Sequence, residues 1–407
     1  MRRMTKRVLI YSHDTFGLGH LRRCQAIAHS LVGADAETSV LILSGSPIIG
    51  SFDYRNRVDF VRVPGVIKLS DGDYTALSLK MSLEETLALR ASIIRHTADA
   101  FDPDLFIVDK EPLGLRGEVG ETLAMLKQRG VPLVLGLRDV MDDPDLLIEE
   151  WQRKNAMPAL NELYDQMWVY GLAHICDPLA GLDVPSFVRR RMVYTGYLGR
   201  HYGAAANAAP YDGPPLPRDG YILVTPGGGG DGAELVDWVL GAYETDAALP
   251  YPAVIVYGPF LDADRQAAFR ARAARLHNVS TLTFDSRPEA LMANALGVVA
   301  KGGYNTFCEL LALDRRALVV PRKRPRLEQF IRTSRAEELG LVRMLDPDQP
   351  KDPQVMATAL RHLPQQPRPS EVVVPGLLDG LANVNRLAAR LLTRGRVPRL
   401  HLAEQAG

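Results

Sequence analysis

Near its beginning the chain reads Val8-Leu-Ile-Tyr-Ser-His-Asp-Thr-Phe-Gly-Leu-Gly-His-Leu-Arg-Arg-Cys24. A short apolar run, Val8–Tyr11, is followed by a glycine-containing turn and then by the helical pattern Leu21–Leu31. Continuous apolar strands that alternate with helices are typical of a parallel sheet covered on both faces. Gly17 and Gly19 let a ligand approach the backbone, and the start of a helix favours negative charge. We therefore expect this turn to lie at the ligand-binding edge of a doubly wound α/β sheet.

The same alternation continues through the first half of the chain. Further strands are predicted at Val40–Leu43, Phe60–Val63, Leu105–Val108 and Leu133–Leu137. Helical patterns cover Leu83–Ala100 and Glu118–Arg129, and Ser82 with Glu85 forms a capping box at the start of the first of these.

The second half restarts the alternation after a segment, 203–219, that is rich in Ala, Pro and Gly and has the composition of a linker. The predicted strands are Tyr221–Thr225, Ala253–Tyr257, Ser280–Phe284, Gly297–Ala300, Ala317–Val320 and Val342–Leu345. The predicted helices are Ala233–Ala242, Asp262–Leu276, Arg287–Ala295, Tyr304–Leu313, Leu327–Leu339, Pro353–Leu363 and Gly380–Leu392. The pattern predicts two doubly wound domains, 1–202 and 220–407, with a cleft at the carboxyl ends of their strands and a last helix able to pack back on the first domain.

Composition limits the classes of partner and the compartment. Lys and Arg number 48 and Asp and Glu number 48, so the formal charge is zero, which argues against a chain built mainly to bind nucleic acid. The three widely spaced cysteines form neither a disulfide framework nor a zinc pattern. The basic segment from Met1 to Arg7 lacks the apolar region of a signal peptide, and no stretch approaches a membrane span. We expect a cytoplasmic protein.

The glycine turns do not match the common dinucleotide and ATPase fingerprints. Arg22 stands where the third glycine of a dinucleotide motif belongs, and Ser44 and Gly45 follow the second strand without an acidic residue for a ribose. At the first strand of the second half, Gly227–Gly230 lie between strand and helix, but no Gly-Lys-Ser/Thr follows. We expect this turn to hold a diphosphate by its backbone N–H groups, and the alternative is a tight turn without a ligand.

A third turn, Gly302 and Gly303, also ends a strand and precedes a helix, with Asn305 or Thr306 available to cap it. Glu309 falls one turn into that helix. Its carboxylate either accepts hydrogen bonds from ribose hydroxyls or only interacts with the helix dipole, and both interpretations stay open.

Downstream, Arg322–Arg326 holds four cations within five residues. A nucleic-acid arm would need interleaved aromatic side chains, which this segment lacks. The position directly after a strand favours neutralisation of a phosphate instead.

Together, Gly17–Cys24, Gly227–Gly230, Gly302 to Glu309 and Pro321 to Gln329 resemble the GT-B glycosyltransferases of family 28. That family includes the enzymes that add N-acetylglucosamine to the lipid-linked peptidoglycan precursor. The resemblance implies two Rossmann-like domains that face a central cleft, with the acceptor on the first domain and a nucleotide-sugar, uridine-linked, on the second. It implies a bacterial transferase without metal or cofactor, which moves a hexose-type sugar with inversion to a small or lipid-linked acceptor.

The resemblance also implies residue roles. In the second domain, Gly227, Gly228, Gly229, Gly230, Gly302 and Gly303 would face the diphosphate, Glu309 the ribose, Phe284 the base, and Glu328 and Gln329 the donor sugar. Asn305, Thr306, Arg322 and Arg326 complete the expected donor site. In the first domain, His13, Gly17, Gly19, Arg22 and Arg138 are expected at the acceptor side of the cleft.

Inverting transfer needs a general base for the acceptor hydroxyl. His20 is the first candidate, because a helix N-terminus lowers the pKa of an imidazole and so favours its neutral form. His13 is a rival at the end of the first strand. Asp109 orients a histidine, is itself the base, or is only a structural carboxylate at a strand end. His20 in contact with a phosphate or backbone without proton transfer remains an alternative. Arg138 and Asp139, at another strand end, form either an acceptor pocket or a local ion pair.

Two other functions remain open. The spelling Gly-His-x-x-Arg-Cys and the pair Val108-Asp109 resemble the nucleotide-sugar hydrolase of pseudaminic acid synthesis, although Lys110 departs from it. A hydrolase or epimerase of the same fold, and a binder of nucleotide-sugars without catalysis, are therefore alternatives. No set of His, Cys and carboxylate residues has metal-ligand spacing. The apolar segments Leu77–Ile94 and Val66–Leu69 fit either peripheral contact with the inner membrane face or a core-facing helix.

Overall fold

The computed structural model describes residues 5–13, 19–68, 74–199, 213–227, 232–258, 261–285 and 288–396. The chain forms two compact units, Met1–Leu198 with Asp379–Gly407, and Gly199–Leu378. Both are α/β units built on parallel sheets, the architecture that the alternating pattern predicts. Residues 203–212 of the expected linker lie outside the described residues. The last segment groups with the first unit, whereas the sequence assigned it to the second with the option of packing back.

The first unit contains a parallel sheet of seven strands in the order β3-β2-β1-β6-β7-β8-β9. Its strands are β1 (Lys6–Ser12), β2 (Thr38–Ser44), β3 (Val58–Arg62), β6 (Leu105–Asp109), β7 (Leu133–Arg138), β8 (Gln166–Tyr170) and β9 (Met192–Tyr194). Between β3 and β6 lies the antiparallel hairpin of β4 (Val66–Lys68) and β5 (Tyr74–Ala76). The helices are α1 (Gly19–Ala34), α2 (Leu83–Phe101), α3 (Gly120–Gln128), α4 (Pro144–Arg153), α5 (Ala156–Glu162) and α6 (Ser186–Arg189).

The second unit contains a parallel sheet of six strands in the order β12-β11-β10-β13-β14-β15. Its strands are β10 (Ile222–Thr225), β11 (Ala253–Val256), β12 (Val279–Leu282), β13 (Gly297–Ala300), β14 (Ala317–Val319) and β15 (Arg343–Met344). Its helices are α7 (Ala233–Thr245), α8 (Ala263–Ala273), α9 (Pro288–Asn294), α10 (Tyr304–Ala312), α11 (Glu328–Glu338) and α12 (Pro353–His362). The predicted third strand ended at Phe284, but β12 ends at Leu282, so Phe284 follows the strand.

The first strand of each sheet sits where the strand order reverses. β1 pairs with β2 on one side and β6 on the other, and β10 pairs with β11 and β13 in the same way. In open α/β sheets, ligands bind beyond the carboxyl ends of the strands at this reversal. The ends of β1 and β6, and of β10 and β13, are therefore the places to look for a site.

Helix α2 shows how local signals and burial agree. The Ser82 hydroxyl accepts a hydrogen bond from the Glu85 N–H at 3.1 Å, and the Glu85 carboxylate accepts one from the Ser82 N–H at 2.9 Å, so the predicted capping box is confirmed. The buried face of the helix carries Thr86, Arg90 and Ile94 at a spacing of four residues. The stretch thus contains a core-facing helix, although Leu89 remains exposed on its other side.

The last helix, α13 (Gly380–Arg394), packs on the first unit. The Asn385 amide donates to the Ser30 hydroxyl at 2.9 Å, and the Asn383 amide donates to the Thr195 carbonyl at 2.7 Å. A Cβ at Gly380 would lie 2.6 Å from the Gly196 carbonyl oxygen, so only glycine fits this close approach.

Candidate functional site

The carboxyl ends of β1 and β6 meet the start of α1 in the first unit. His13 follows β1, Asp109 is the last residue of β6, and His20 is the second residue of α1. Because Tyr11 and Val108 are register partners in adjacent parallel strands, the two strand ends lie side by side. His20, His13 and Asp109, which the sequence proposed separately, are brought together here.

His20 and Arg23 both bind the carboxylate of Asp109. The Nδ1 atom of His20 lies 2.5 Å from Oδ2 of Asp109. Arg23 donates from Nη2 to the same oxygen at 2.7 Å and from Nε to Oδ1 at 2.8 Å. The side chains of Arg23 and Asp109 are each 2% exposed, whereas that of His20 is 20% exposed. The arrangement is a buried bidentate ion pair with an imidazole attached to it.

Charge and hydrogen bonding fix the state of this group. Burial alone would raise the pKa of Asp109, but Arg23 and His20 outweigh it and hold that pKa below its ordinary value. Burial lowers the pKa of His20, against the opposing pull of Asp109. A neutral His20 beside an ionised carboxylate carries its proton on Nδ1 and donates it to Asp109. The lone pair of Nε2 is then available to accept a proton.

His13 lies beside this group as a second, more deeply buried imidazole. Its ring centroid is 5.6 Å from that of His20, edge to face, and only 7% of its surface is exposed. Burial lowers the pKa of His13 to about 3, so it is neutral at physiological pH. Its Nδ1 atom has no hydrogen-bond partner among the described residues.

A buried charge cluster borders His13. Nζ of Lys110 lies 3.0 Å from Oε1 of Glu111, and Nζ of Lys154 lies 2.7 Å from Oε2 of the same carboxylate. Burial would raise the pKa of Glu111, but the two ammonium groups and His13 hold it well below its ordinary value. Lys110 has a positive φ of 67°, a conformation that costs energy and clusters at functional sites.

The remaining predicted residues of the first unit have separate surroundings. Arg138 donates to the Met141 carbonyl at 3.4 Å, whereas Asp139 accepts a hydrogen bond from the Tyr197 hydroxyl at 2.9 Å. Gly19 begins α1, and Arg22 lies half-buried on it. Gly17 lies outside the described residues.

In the second unit the glycine turns follow β10 and β13. Gly227 follows β10 with φ 93°, and Gly228, Gly229 and Gly230 lie outside the described residues. Gly302 follows β13 with φ 77°, and a Cβ there would lie 2.8 Å from Cγ1 of Val319 and 2.9 Å from Oγ1 of Thr333. Both the backbone conformation and the lack of space require glycine at 302.

The cap of α10 differs from the sequence expectation. Gly303 is the N-cap residue, and no side chain makes a cap hydrogen bond. Asn305 and Thr306 lie inside the first turn, so the expectation that either caps the helix is wrong. The cap lies two or three residues earlier than expected, because Gly303 itself supplies the extended conformation of the cap.

Arg332 supports the same turn from α11. Its Nη1 donates to the Gly302 carbonyl at 3.0 Å, and its guanidinium lies over the Tyr304 ring at 5.5 Å. Arg332 is fully buried. It therefore contacts both the turn, at Gly302, and the first residue of α10, Tyr304.

The other donor-site candidates fall into a buried and an exposed group. Glu309 is buried on α10, and Glu328 and Gln329 are buried at the start of α11. Phe284 is 51% exposed, which leaves its ring available for stacking.

The basic segment after β14 carries paired charges. Arg322 donates from Nη2 to Oε1 of Glu328 at 2.7 Å, and its N–H donates to Oε1 of Gln329 at 3.2 Å. Lys323 donates to Asp346 at 2.9 Å and to Asp348 at 2.6 Å. The segment is thus not a patch of uncompensated positive charge, because acids from α11 and from the loop after β15 neutralise two of its cations. Arg326 is half-buried.

No role was predicted from the sequence for Arg23, for Tyr170, which lies over Gly136 beside Asp109, or for Lys154 and Arg332. Arg23 had a readable signal, since it lies three residues after His20 and shares a helix face with it. Tyr170, Lys154 and Arg332 reach the sites through tertiary packing, which no local pattern reveals. Among the described ranges, no group of three or more His, Cys, Asp and Glu residues is placed to hold a metal ion. Across the same ranges, no helix combines the length and apolar character needed to cross a membrane.

Comparison with known proteins agrees with this architecture. Residues 221–367 match the model of the glycosyltransferase family 28 C-terminal domain. The crystal structure of the glycotransferase of kitacinnamycin is similar, with a TM-score of 0.61 and 16% identity over 97% of this chain and 99% of that chain. The crystal structure of Acinetobacter baumannii MurG has a TM-score of 0.58 and 13% identity, over 96% of this chain and 99% of that chain. The UDP-GlcNAc 2-epimerase from Neisseria meningitidis, bound to UDP-GlcNAc, has a TM-score of 0.59 and 13% identity, over 96% of this chain and 100% of that chain. A search of curated proteins by sequence gave no match.

Proposed function

We propose that the chain is a glycosyltransferase that transfers a hexose-type sugar from a uridine-linked nucleotide-sugar to a hydroxyl acceptor, because residues 221–367 match the family 28 C-terminal domain and the fold is similar to those of known glycosyltransferases. The reaction forms the bond between the acceptor oxygen and the anomeric carbon. It breaks the bond between that carbon and the diphosphate. The nucleoside diphosphate leaves with the electron pair, and the acceptor proton passes to a base.

The observation that carries this proposal is the hydrogen bond between His20 and Asp109. Asp109 accepts the Nδ1 proton of His20 and leaves Nε2 free to take the acceptor proton. The same carboxylate then stabilises the imidazolium that forms. The partial exposure of His20, 20% of its side chain, leaves room for a substrate contact that the buried Asp109 lacks. We therefore assign the base to His20 and a positioning role to Asp109.

We assign nucleotide binding to the second unit, where the glycine turns follow β10 and β13. Gly303 faces open space at the start of α10, and the positive end of a helix favours a diphosphate. Glu309 contacts the ribose hydroxyls, and Phe284 stacks against the base. The match of residues 221–367 to the family 28 C-terminal domain supports this assignment.

In this proposal transfer proceeds with inversion and without a metal ion. One base and one leaving group suffice for a single displacement, which inverts the anomeric centre. Helix N-termini and cationic side chains stabilise the departing diphosphate in place of a metal. An assay with and without a chelator, with the product anomer assigned by NMR, tests both points.

The acceptor is either a small molecule or a lipid-linked sugar at the cytoplasmic face of a membrane. Leu77, Leu79 and Met81, which follow β5, expose between 37% and 44% of their surfaces in the first unit. This apolar segment supports peripheral membrane contact. Co-sedimentation of the chain with anionic vesicles, compared with a Leu77→Ser, Leu79→Ser variant, tests it.

A hydrolase or epimerase acting on the same donor is the second candidate. The likeness to the N. meningitidis UDP-GlcNAc 2-epimerase and the presence of a neutral His13 beside His20 favour it. In a hydrolase, water would take the place of the acceptor hydroxyl, and His20 would accept its proton. A binder without catalysis would keep the donor site and show no turnover.

A panel of nucleotide-sugars separates these functions. The full chain is incubated with each donor, with and without a mixture of sugar and lipid-linked sugar acceptors, and nucleoside diphosphate release is measured. We expect release from one uridine-linked donor that depends on the acceptor. Release at the same rate without acceptor would favour a hydrolase. Conversion of the donor to a different sugar on the same nucleotide would favour an epimerase. Binding detected by calorimetry without any product would favour a binder. Calorimetry that detects no nucleoside diphosphate binding would contradict the transferase, the hydrolase, the epimerase and the binder alike.

A further inference from the structure

Arg23 occupies a position that an ordinary His–Asp pair does not require. It binds both oxygens of Asp109, at 2.7 and 2.8 Å, from the same helix that carries His20. Its Nη2 also lies 3.0 Å from Nδ1 of His20. Since that nitrogen donates its proton to Asp109, this short approach is a contact between a cation and an imidazole rather than a second hydrogen bond.

The charges that face His20 come from three elements. Asp109 and Lys110 lie at the end of β6, Arg23 lies on α1, and His13 follows β1 as a neutral ring. Asp109 favours the imidazolium form of His20, whereas Arg23 and Lys110 disfavour it. Burial is the largest influence and lowers the pKa of His20. Without the charge of Arg23, the pull of the Asp109 carboxylate toward the imidazolium form would be less opposed, and a charged imidazole cannot accept a proton.

We propose that Arg23 is a positioning residue that locks the Asp109 carboxylate in one orientation and offsets its charge, so that His20 stays neutral with its Nε2 lone pair available. The two contacts of Arg23 fix both carboxylate oxygens, and only one geometry then remains for the Nδ1 proton. This inference rests on the proposed role of His20 as the base.

The test follows the titration of His20 directly. The full chain is labelled with ¹⁵N-histidine, and the His20 signals are assigned by their loss in His20→Gln. Titrations then compare the wild type with Arg23→Met, which removes the charge at similar length, with Arg23→Lys, which keeps it, and with Asp109→Asn. Because a nearby charge typically moves a pKa by about one to three pH units, the expected effects are large enough to measure.

The expected shifts have opposite signs. Arg23→Met should move the His20 midpoint to higher pH by at least about one pH unit, and Asp109→Asn should move it to lower pH. In Arg23→Met, the pH at which the transfer rate falls on the acidic side should rise together with the His20 midpoint, since the base must lose its proton first. Arg23→Lys should leave the midpoint near that of the wild type but weaken the Nδ1–H signature of one tautomer.

An unchanged midpoint in Arg23→Met, with a lower rate at every pH, would overturn the proposal and leave Arg23 a purely structural residue. If Arg23→Met fails to fold, Asp109→Asn and Arg23→Lys test the proposal instead. An unchanged His20 midpoint in Asp109→Asn would overturn it. An unchanged tautomer signature in Arg23→Lys would also overturn it. The NMR titration needs no substrate. Failure of the proposed transferase function with the expected midpoints therefore remains distinguishable from failure of this inference.

Discussion

His20 donates its Nδ1 proton to a carboxylate oxygen of Asp109 across 2.5 Å, at the point where β6 ends beside the start of α1. The two residues lie 89 positions apart in the sequence. The fold of the first unit therefore assembles this pair, and five predictions follow from the pair, from its surroundings and from the turn at Gly302.

Replacing Asp109 by Asn should reduce kcat/KM by about 10²-fold or more, because the amide neither fixes the Nδ1 tautomer nor stabilises the imidazolium. The free energy of unfolding should fall by about 3–5 kcal/mol, since Arg23 would be left buried without its counter-charge. Steady-state kinetics and chemical denaturation measure the two effects. Asp59→Asn, at an exposed position on β3, is the matched control and should change neither quantity. Full activity in Asp109→Asn would refute the positioning role.

His13 should make the first unit lose stability in mild acid. Its pKa is about 3 in the folded state against about 6.5 when exposed, so the unfolded chain binds the extra proton first. This contribution is complete above pH 6.5 and declines as the pH falls toward 3, by about 1.4 kcal/mol per pH unit. His13→Gln should show a correspondingly shallower decline of unfolding free energy between pH 6 and 4.5, whereas His96→Gln, at an exposed position, should follow the wild type. Parallel curves for His13→Gln and wild type would contradict the burial of a neutral His13.

Gly136 should tolerate no side chain, because Tyr170 packs directly over it. An added Cβ would lie 2.8 Å from Cζ and Cε2 of Tyr170 and closer still to its hydroxyl oxygen. Asp109 is the register partner of Gly136, and the charges of Asp109 and Arg23 act on the buried Tyr170 phenol, whose pKa burial raises. Gly136→Ala should thus cost about 1–3 kcal/mol and also reduce activity.

The control for this change is Gly33→Ala on α1, where the nearest atom to an added Cβ is Nη1 of Arg55 at 3.5 Å. That variant should gain about 0.5–1 kcal/mol from the better helix propensity of alanine. Thermal unfolding and transfer rates compare the two. Equal stability of both variants would mean that Tyr170 moves aside freely.

Gly302 and Gly340 share the same φ of 77° but differ in the space available for an added Cβ. At Gly302 a Cβ meets Val319 and Thr333 within 3 Å, whereas at Gly340 the nearest atom is Cγ2 of Val372 at 3.6 Å. Both alanine variants should lose about 1–2 kcal/mol to the backbone conformation. Only Gly302→Ala should displace the turn and weaken uridine diphosphate binding by about tenfold or more, which calorimetry measures. Equal nucleotide affinity of the two variants would remove the Gly302 turn from the donor site.

The alternating apolar strands and helices were enough to predict two parallel sheets. In the second unit, for example, β10 and β13 are short apolar runs with a glycine two residues beyond the end of each strand. Residues 139–198 gave no such signal, and α4, α5, β8, α6 and β9 were not predicted there. The hairpin of β4 and β5 was missed as well, since three-residue strands carry too little periodicity.

The sequence predicted those site residues that lie at strand ends or helix starts. His20, His13 and Asp109 each stand directly beyond a strand or at a helix start, so elementary topology placed them at one edge. Which arginine binds Asp109 depended on the rotation of α1: Arg23 faces the sheet fully buried, and Arg22 is only half-buried. The pairing of Lys323 with Asp346 and Asp348 depended on where the loop after β15 lies, which no local pattern determines.

The role of His20 as the base is tested most directly by measuring both the transfer rate and the donor affinity of His20→Ala. His96→Ala, at an exposed histidine, is the control. Single-turnover transfer is measured with the donor and acceptor found in the screen, and donor binding is measured by calorimetry. We expect transfer to fall by about 10²–10⁴-fold while the donor dissociation constant stays unchanged, because His20 acts on the acceptor proton alone. Transfer at the wild-type rate, or donor affinity that falls in step with transfer, would contradict this role of His20.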